Sequence, residues 1–248
     1  MNLSSISALA KLISANPNQA KALIKLASVD VLNSLGNSKY TIALENQTLT
    51  AQSEKNLSAG EKYWAQLNFT KDAKPTLTHL IKTPQLFTLL KNNPFTLNLQ
   101  ELQILLKSPK PAALLGQQLL EALANTSSKE EFSNLSTLLL SLHNQTLTLP
   151  LLYREYFAIL QLKKRYNKKS KKQFIDFYAA FEFLGPISGV ITLDEQEISV
   201  ALSVAFVQTK QFLEQDMNNF SYTITIDINK QIEPLYEANT NAILDISI

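Results

Sequence analysis

The chain has 248 residues, of which 45% are hydrophobic and 18% are charged, and its formal net charge is +2. This composition supports one or two domains with a buried core, and the near-neutral charge disfavours nucleic acid as the main partner. The chain has no cysteine, which excludes disulfides, thiolate metal sites and cysteine nucleophiles. Its apolar runs are too short for a transmembrane helix, so no membrane insertion is expected.

Residues 1–75 are predicted to form a helical start followed by a small antiparallel sheet. Apolar residues at helical spacing begin the chain, and Pro17 suits the first turn of a second helix that extends to about residue 27. From residue 40 onward, alternation of apolar and polar residues predicts strands, with turns at ENQ and SAG. Trp64 lies in one of these strands, so packing against the sheet is preferred to a binding role for it.

Residues 76–144 are predicted to be helical. Leucines at three- and four-residue spacing recur in TPQLFTLLKNN, LNLQELQILLKS and KPAALLGQQLLEALAN, and Pro or Asn bounds each segment. The next segment, SSKEEFSNLSTLLLSLHN, opens with a capping box formed by Ser128 and Glu131 or by Ser127 and Glu130.

Residues 145–248 return to period-two alternation. They predict several antiparallel strands, then a helix in VQTKQFLEQDMNNF, then further strands that include the candidate strand AILDISI. The whole chain is therefore predicted as α+β, with an N-terminal small β module, a central helical segment and a C-terminal mixed α+β domain in which one helix packs on an antiparallel sheet.

The sequence contains no recognisable catalytic constellation, and no enzyme activity, cofactor or metal is expected. The two histidines, His79 and His143, are far apart along the chain, and a lone histidine cannot build a triad or a metal site. Gly185 and Gly189 lie between predicted strands, without the helix start that a phosphate-binding loop requires. The carboxylates at residues 194–197 lie at a predicted hairpin turn, where solvation is expected.

The most conspicuous charge cluster is KKRYNKKSKK, residues 163–172, in which seven of ten residues are basic. It joins two alternating segments, so it is predicted to be the tip of a hairpin whose charges remain in water. Docking to an acidic protein surface is the second interpretation. Nucleic acid is the third, because only Tyr166 interrupts the charges and base stacking usually requires several aromatics.

The segment FYAAFEFLGPISGVITLDEQEISVALSVAFVQTKQFLEQ resembles the C-terminal domain of the flagellar hook-length control protein family. Leu184 and Gly185 match the Leu-Gly of that family, Ile187 matches the apolar position that follows, and Leu213 matches a late leucine of its helix. Upstream, TLTLPLL and the lysine-rich turn also match. The family's long Pro- and Gln-rich region has no counterpart here, which favours a short or divergent member.

This resemblance implies a non-enzymatic protein of the bacterial cytoplasm that takes part in flagellar type III export and is itself exported. It implies binding to the cytoplasmic domain of the export-gate switch protein, a change of substrate class from rod-hook to filament type, and contacts with hook or hook-cap proteins. The candidate partner-binding residues are Leu184, Gly185, Pro186, Ile187, Leu213, Lys168, Lys169, Lys171 and Lys172.

Two other functions stay open at the level of sequence. One is a cytosolic protein–protein interaction adaptor that shares only the fold of the family. The other, less favoured, is a nucleic-acid binder that uses the basic loop at residues 163–172.

Overall fold

The computed structural model describes residues 26–44, 47–69, 75–154, 156–168, 172–194, 197–215, 217 and 222–238. The helices predicted before residue 26 and the candidate strand AILDISI lie outside the described residues. The described part of the chain has five helices and two sheets, which confirms the predicted α+β class. None of these helices is both long and apolar enough to span a bilayer.

The first sheet closes into a small five-stranded barrel. Its strands are β1 (Leu26–Gly36), β2 (Lys39–Leu44), β3 (Gln47–Ser53), β4 (Lys62–Phe69) and β5 (Pro75–Lys82). Their order is β1-β2-β3-β5-β4, β4 pairs back onto β1, and β3 and β5 are parallel. This is the connectivity of an OB-fold barrel. The predicted small antiparallel sheet is present, but it closes into a barrel through the parallel pair of β3 with β5.

The barrel also extends further than predicted at both ends. Leu26 and Ala27, predicted as the end of a helix, begin β1, and β5 continues to Lys82, into the segment predicted as helical. β5 contains a bulge between the pairs Thr78–Gln66 and Ile81–Trp64. Two residues of β5, His79 and Leu80, lie there opposite one residue of β4, which bends β5. His79 has a φ of 50°, and its backbone N–H donates to the Glu54 carboxylate at 2.9 Å. The bulge helps to curve the strand around the barrel.

Four helices follow the barrel. They are α1 (Gln85–Leu90), α2 (Leu99–Lys107), α3 (Pro111–Asn125) and α4 (Lys129–His143). The predicted capping box at α4 forms only in part: Ser128 Oγ accepts from the Glu131 N–H at 3.1 Å, but the Glu131 carboxylate accepts from the Thr126 hydroxyl instead. A complete capping box, which the sequence analysis missed, begins α2 with Asn98 and Glu101.

The second sheet has six strands in the order β11-β10-β9-β8-β7-β6. The elements are β6 (Leu147–Tyr153), β7 (Tyr156–Asn167), β8 (Lys172–Phe181), β9 (Gly185–Asp194), β10 (Glu197–Val204), α5 (Val207–Glu214) and β11 (Thr223–Ile228). Strands β6 to β10 form the predicted antiparallel meander. β11 instead pairs with β10 in parallel, because α5 carries the chain back before β11 begins. The predicted antiparallel sheet therefore carries one parallel strand at its edge.

The large sheet is buried on both faces near its centre. Along β7, every residue from Phe157 to Leu162 is buried, although side chains alternate between the two faces. On one face, Phe157 packs edge-on against Phe87 of α1, which packs edge-on against Trp64 of β4, with ring centroids 5.2 and 5.6 Å apart. The outer side of the barrel, the helices and the sheet therefore share one hydrophobic core, while the barrel keeps a second, separate core inside.

Candidate functional site

The Leu-Gly residues that carry the family resemblance form the tight corner between β8 and β9. Leu184 and Ile187 are 3% and 1% exposed, and Gly185 and Pro186 are also buried. The Leu184 carbonyl accepts a hydrogen bond from Thr209 Oγ1 of α5 at 2.8 Å. Leu213, one turn further along α5, belongs to the same hydrophobic core. The structure thus brings these predicted contact residues together as a buried packing unit, which we call the Leu-Gly corner.

Position 185 requires glycine for two reasons: its backbone conformation and the closeness of neighbouring side chains. Its φ is +70°, in the left-handed region that favours glycine. An added Cβ atom would lie 2.7 Å from Cε2 of Phe206 and 3.4 Å from Cδ2 of Leu26. Because the first contact is closer than carbon atoms normally approach, a side chain here forces the Phe206 ring or the backbone to move.

We expect Gly185→Ala to lower the free energy of unfolding by about 3 kcal/mol, from left-handed strain and overpacking together. Denaturant unfolding followed by circular dichroism measures this change. Gly36→Ala is the matched control, because Gly36 has a φ of +80° but no atom within 4 Å of the added Cβ. The control should lose only the backbone contribution, about 1 kcal/mol. Equal losses in both variants would contradict a packing role for Gly185.

The basic stretch forms the end of the hairpin between β7 and β8, as predicted, but most of it lies in the strands themselves. The ladder continues to the pair Asn167–Lys172, so only residues 168–171 form the tip. Arg165 makes a two-pronged ion pair with Asp176 across the ladder, and this hydrogen bonding raises the pKa of Arg165. Lys172 pairs with Asp194 at 2.6 Å. Two of the seven cations are therefore already matched by carboxylates.

The remaining predicted contacts at this hairpin divide into two groups. Lys168 is exposed at the end of β7. Lys169 and Lys171 lie outside the described residues. The ion pairs of Arg165 and Lys172 reduce the charge that these two residues can offer to a phosphate backbone.

The outer face formed by β2 and β3 has few features that nucleic acid could use. OB-fold barrels that bind oligonucleotides use the outer face of their second and third strands. Here the residues on that face of the described strands are Lys39, Thr41, Ala43, Thr48, Thr50 and Gln52. They include a single cation and no aromatic ring, so this face has no platform on which bases could stack.

The two histidines lie on different elements of the fold. His79 is exposed on β5 and His143 is exposed at the end of α4. Within the described residues, no group of three or more acidic or histidine side chains could hold a metal ion. Gly189, predicted in a loop, lies inside β9 instead.

Gln161, in the middle of β7, has a fully buried side chain whose role was not predicted from the sequence. It holds residues 229–238, which we call the C-terminal strap. Gln161 Oε1 accepts from the backbone N–H groups of Leu235 and Tyr236 at 2.8 and 3.2 Å. Its Nε2 donates to the Tyr236 carbonyl at 2.7 Å and to Thr148 Oγ1 at 3.3 Å. A single glutamine within the apolar run YFAILQL was the signal for this contact.

No protein-family model matches the chain, and a search of the curated proteins found no match either.

Proposed function

We propose that this protein is a non-enzymatic component of the bacterial flagellar type III export apparatus. In this proposal it binds the cytoplasmic domain of the export-gate switch protein and favours the change from rod-hook to filament substrates. It acts from the cytoplasm and is a substrate of the same apparatus. The basis is the resemblance of the C-terminal region to the hook-length control family.

The observation that best supports the proposal is the structural unity of the matched residues. Leu184, Gly185 and Ile187 are contiguous in a corner, and Leu213 belongs to the helix whose Thr209 bonds to that corner. The first three are neighbours in sequence, so the informative contact is the hydrogen bond that joins α5 to the corner. This contact supports a common domain architecture for the corner and the helix, which is the part of the resemblance that geometry can address.

The structure also changes which residues would contact the partner. The Leu-Gly corner is buried, so in this proposal it maintains the shape of the domain and does not touch the gate. In this proposal the end of the β7–β8 hairpin contacts the partner. Lys168 is exposed there, and Lys169 and Lys171 are close to it in sequence. A cluster of lysines favours an acidic partner surface and increases the rate of association.

The test is to measure, by calorimetry, the binding of the purified protein to the cytoplasmic domain of the export gate. We expect the triple variant Lys168→Glu, Lys169→Glu and Lys171→Glu to weaken binding at least about tenfold, because it places like charges against the partner. Its thermal stability should be unchanged. Lys107→Glu with Lys129→Glu, both on helices, is the control and should bind normally.

A deletion strain provides the cellular counterpart of this test. We expect altered hook length or loss of filaments in electron micrographs, together with loss of the protein from the medium when the export gate is inactive. Normal hooks and filaments in the deletion strain, combined with no binding to the gate domain, would overturn the proposal.

A further inference from the structure

A cavity of about 350 Å³ lies where the barrel, the large sheet and the C-terminal strap meet. The barrel contributes Trp64 and Lys82 to its wall, the sheet contributes Tyr178, and the strap contributes Glu233 and Glu237. This volume is within the range of sites that hold small ligands or single side chains of a partner. The cavity shares only Pro186 with the residues considered for partner binding above.

Three of the residues that line this cavity carry buried polar atoms without a hydrogen-bond partner. Within the described residues, four buried side-chain polar atoms lack a hydrogen-bond partner, and three of them belong to Trp64, Thr83 and Tyr178. These three residues all line the cavity and are 0%, 3% and 2% exposed. A buried polar atom that stays unpaired destabilises the fold, so three such atoms on residues around one space require an explanation.

The chemistry of the three atoms indicates what would satisfy them. The indole N–H of Trp64 can only donate a hydrogen bond, and the hydroxyl groups of Thr83 and Tyr178 can donate as well. Burial raises the pKa of the Tyr178 phenol, and the charge of Glu237 raises it further, so the hydroxyl keeps its proton at neutral pH. An acceptor oxygen on an occupant of the cavity is therefore the complementary group.

The charged residues around the cavity favour a positive charge on its occupant. Lys82 forms an ion pair with Glu61 at 2.8 Å; this hydrogen bond raises the pKa of Lys82, and the charge of Glu237 raises it further. Glu237 accepts from the backbone N–H of Gln85 through one carboxylate oxygen, and Glu233 adds a second negative charge. The surplus of carboxylates favours a cationic group and disfavours an anion.

We propose that this cavity binds a basic amino-acid unit. Its carbonyl or carboxylate oxygen lies towards Trp64, Thr83 and Tyr178, and its ammonium or guanidinium group lies towards Glu233 and Glu237. Apolar wall residues cover the aliphatic stem between these two ends, as they do where lysine and arginine stems are buried in proteins. These residues are Ile81, Pro84, Pro186, Ile232 and Pro234.

Two sources could supply this chemistry: a free basic amino acid, or a lysine or arginine residue within a peptide. Neither depends on the proposed export function. A neutral ligand of the same shape would leave the carboxylates without a cation, and an acidic ligand would be repelled by them. Charge is therefore the property that the test must vary.

The chain contains a single tryptophan, and it lines the cavity, which makes a direct measurement available. The full-length protein is labelled with ¹⁵N, and its one indole N–H resonance is followed during titration. The probes are L-arginine, Nα-acetyl-L-lysine amide and the neutral analogue Nα-acetyl-L-norleucine amide. We expect at least one basic probe to shift the indole resonance in a saturable manner, with the neutral analogue at least about tenfold weaker.

The two basic probes distinguish the sources. Stronger binding of L-arginine supports a free amino acid, and stronger binding of the capped lysine supports a residue within a peptide. The double variant Glu233→Gln with Glu237→Gln should weaken either probe at least about tenfold, since it removes the charge but keeps an acceptor for Gln85. Glu214→Gln, a carboxylate on α5, is the control and should bind as the wild type does.

Three results would overturn the inference. They are no saturable shift with either basic probe, an equal response to the neutral analogue, or unchanged affinity in the double glutamine variant. A melting curve of each variant accompanies the titration, so that loss of the fold is not mistaken for loss of binding.

Discussion

Gly189→Ala is expected to lower the free energy of unfolding by about 4 kcal/mol, a large fraction of the total for a typical domain. Gly189 lies inside β9, opposite Phe177 of β8 and Leu202 of β10. An added Cβ atom would lie 2.4 Å from the Ala201 carbonyl oxygen and 2.7 Å from two atoms of the Phe177 ring. The first contact is with backbone, so no side-chain rotation can relieve it.

Denaturant unfolding measures this loss, and hydrogen exchange shows where it acts. We expect the amides of β8, β9 and β10 to lose protection first, because the clash separates these strands. Gly116→Ala is the control: Gly116 lies within α3, and its added Cβ meets only the end of the Leu142 side chain, at 3.2 Å. Alanine is favoured over glycine in a helix by about 1 kcal/mol, so this variant should be as stable as the wild type or slightly more so. A Gly189 variant that matches this control would contradict the close packing of the sheet.

Gln161→Leu is expected to cost about 3–5 kcal/mol, although leucine has nearly the same size as glutamine. The change leaves the N–H groups of Leu235 and Tyr236 and the Tyr236 carbonyl without the side chain that pairs with them. The cost arises from these groups and not from a cavity. The C-terminal strap should therefore detach before the sheet unfolds.

Two measurements separate this effect from a general loss of stability. Trypsin should cleave after Lys230, which lies in the strap, faster in the variant than in the wild type under native conditions. The fluorescence of Trp64 should also change, because strap residues complete the cavity that this side chain lines. Gln173→Leu on the exposed part of β8 is the control and should change stability by no more than about 0.5 kcal/mol. Equal cleavage rates in the two variants would contradict the anchoring role of Gln161.

The candidate site could be predicted only in part. The basic hairpin lies where alternation on both sides placed it. The corner residues are predicted as partner contacts, but the structure buries them. The cavity has no counterpart in the sequence pattern, because its wall residues come from β4, β5, β8, β9 and the strap.

Local order was determined by the sequence itself. Alternation of apolar side chains has the period of a strand, and leucine spacing has the period of a helix, so α2, α3, the meander from β6 to β10 and the helix α5 follow from neighbouring residues. The tertiary structure alone decided how these elements pair. The closure of the barrel, the parallel pairs β3–β5 and β10–β11, and the anchoring of the strap by Gln161 each join residues far apart in sequence. Such contacts form because they bury apolar surface and satisfy backbone groups that no nearby residue can reach.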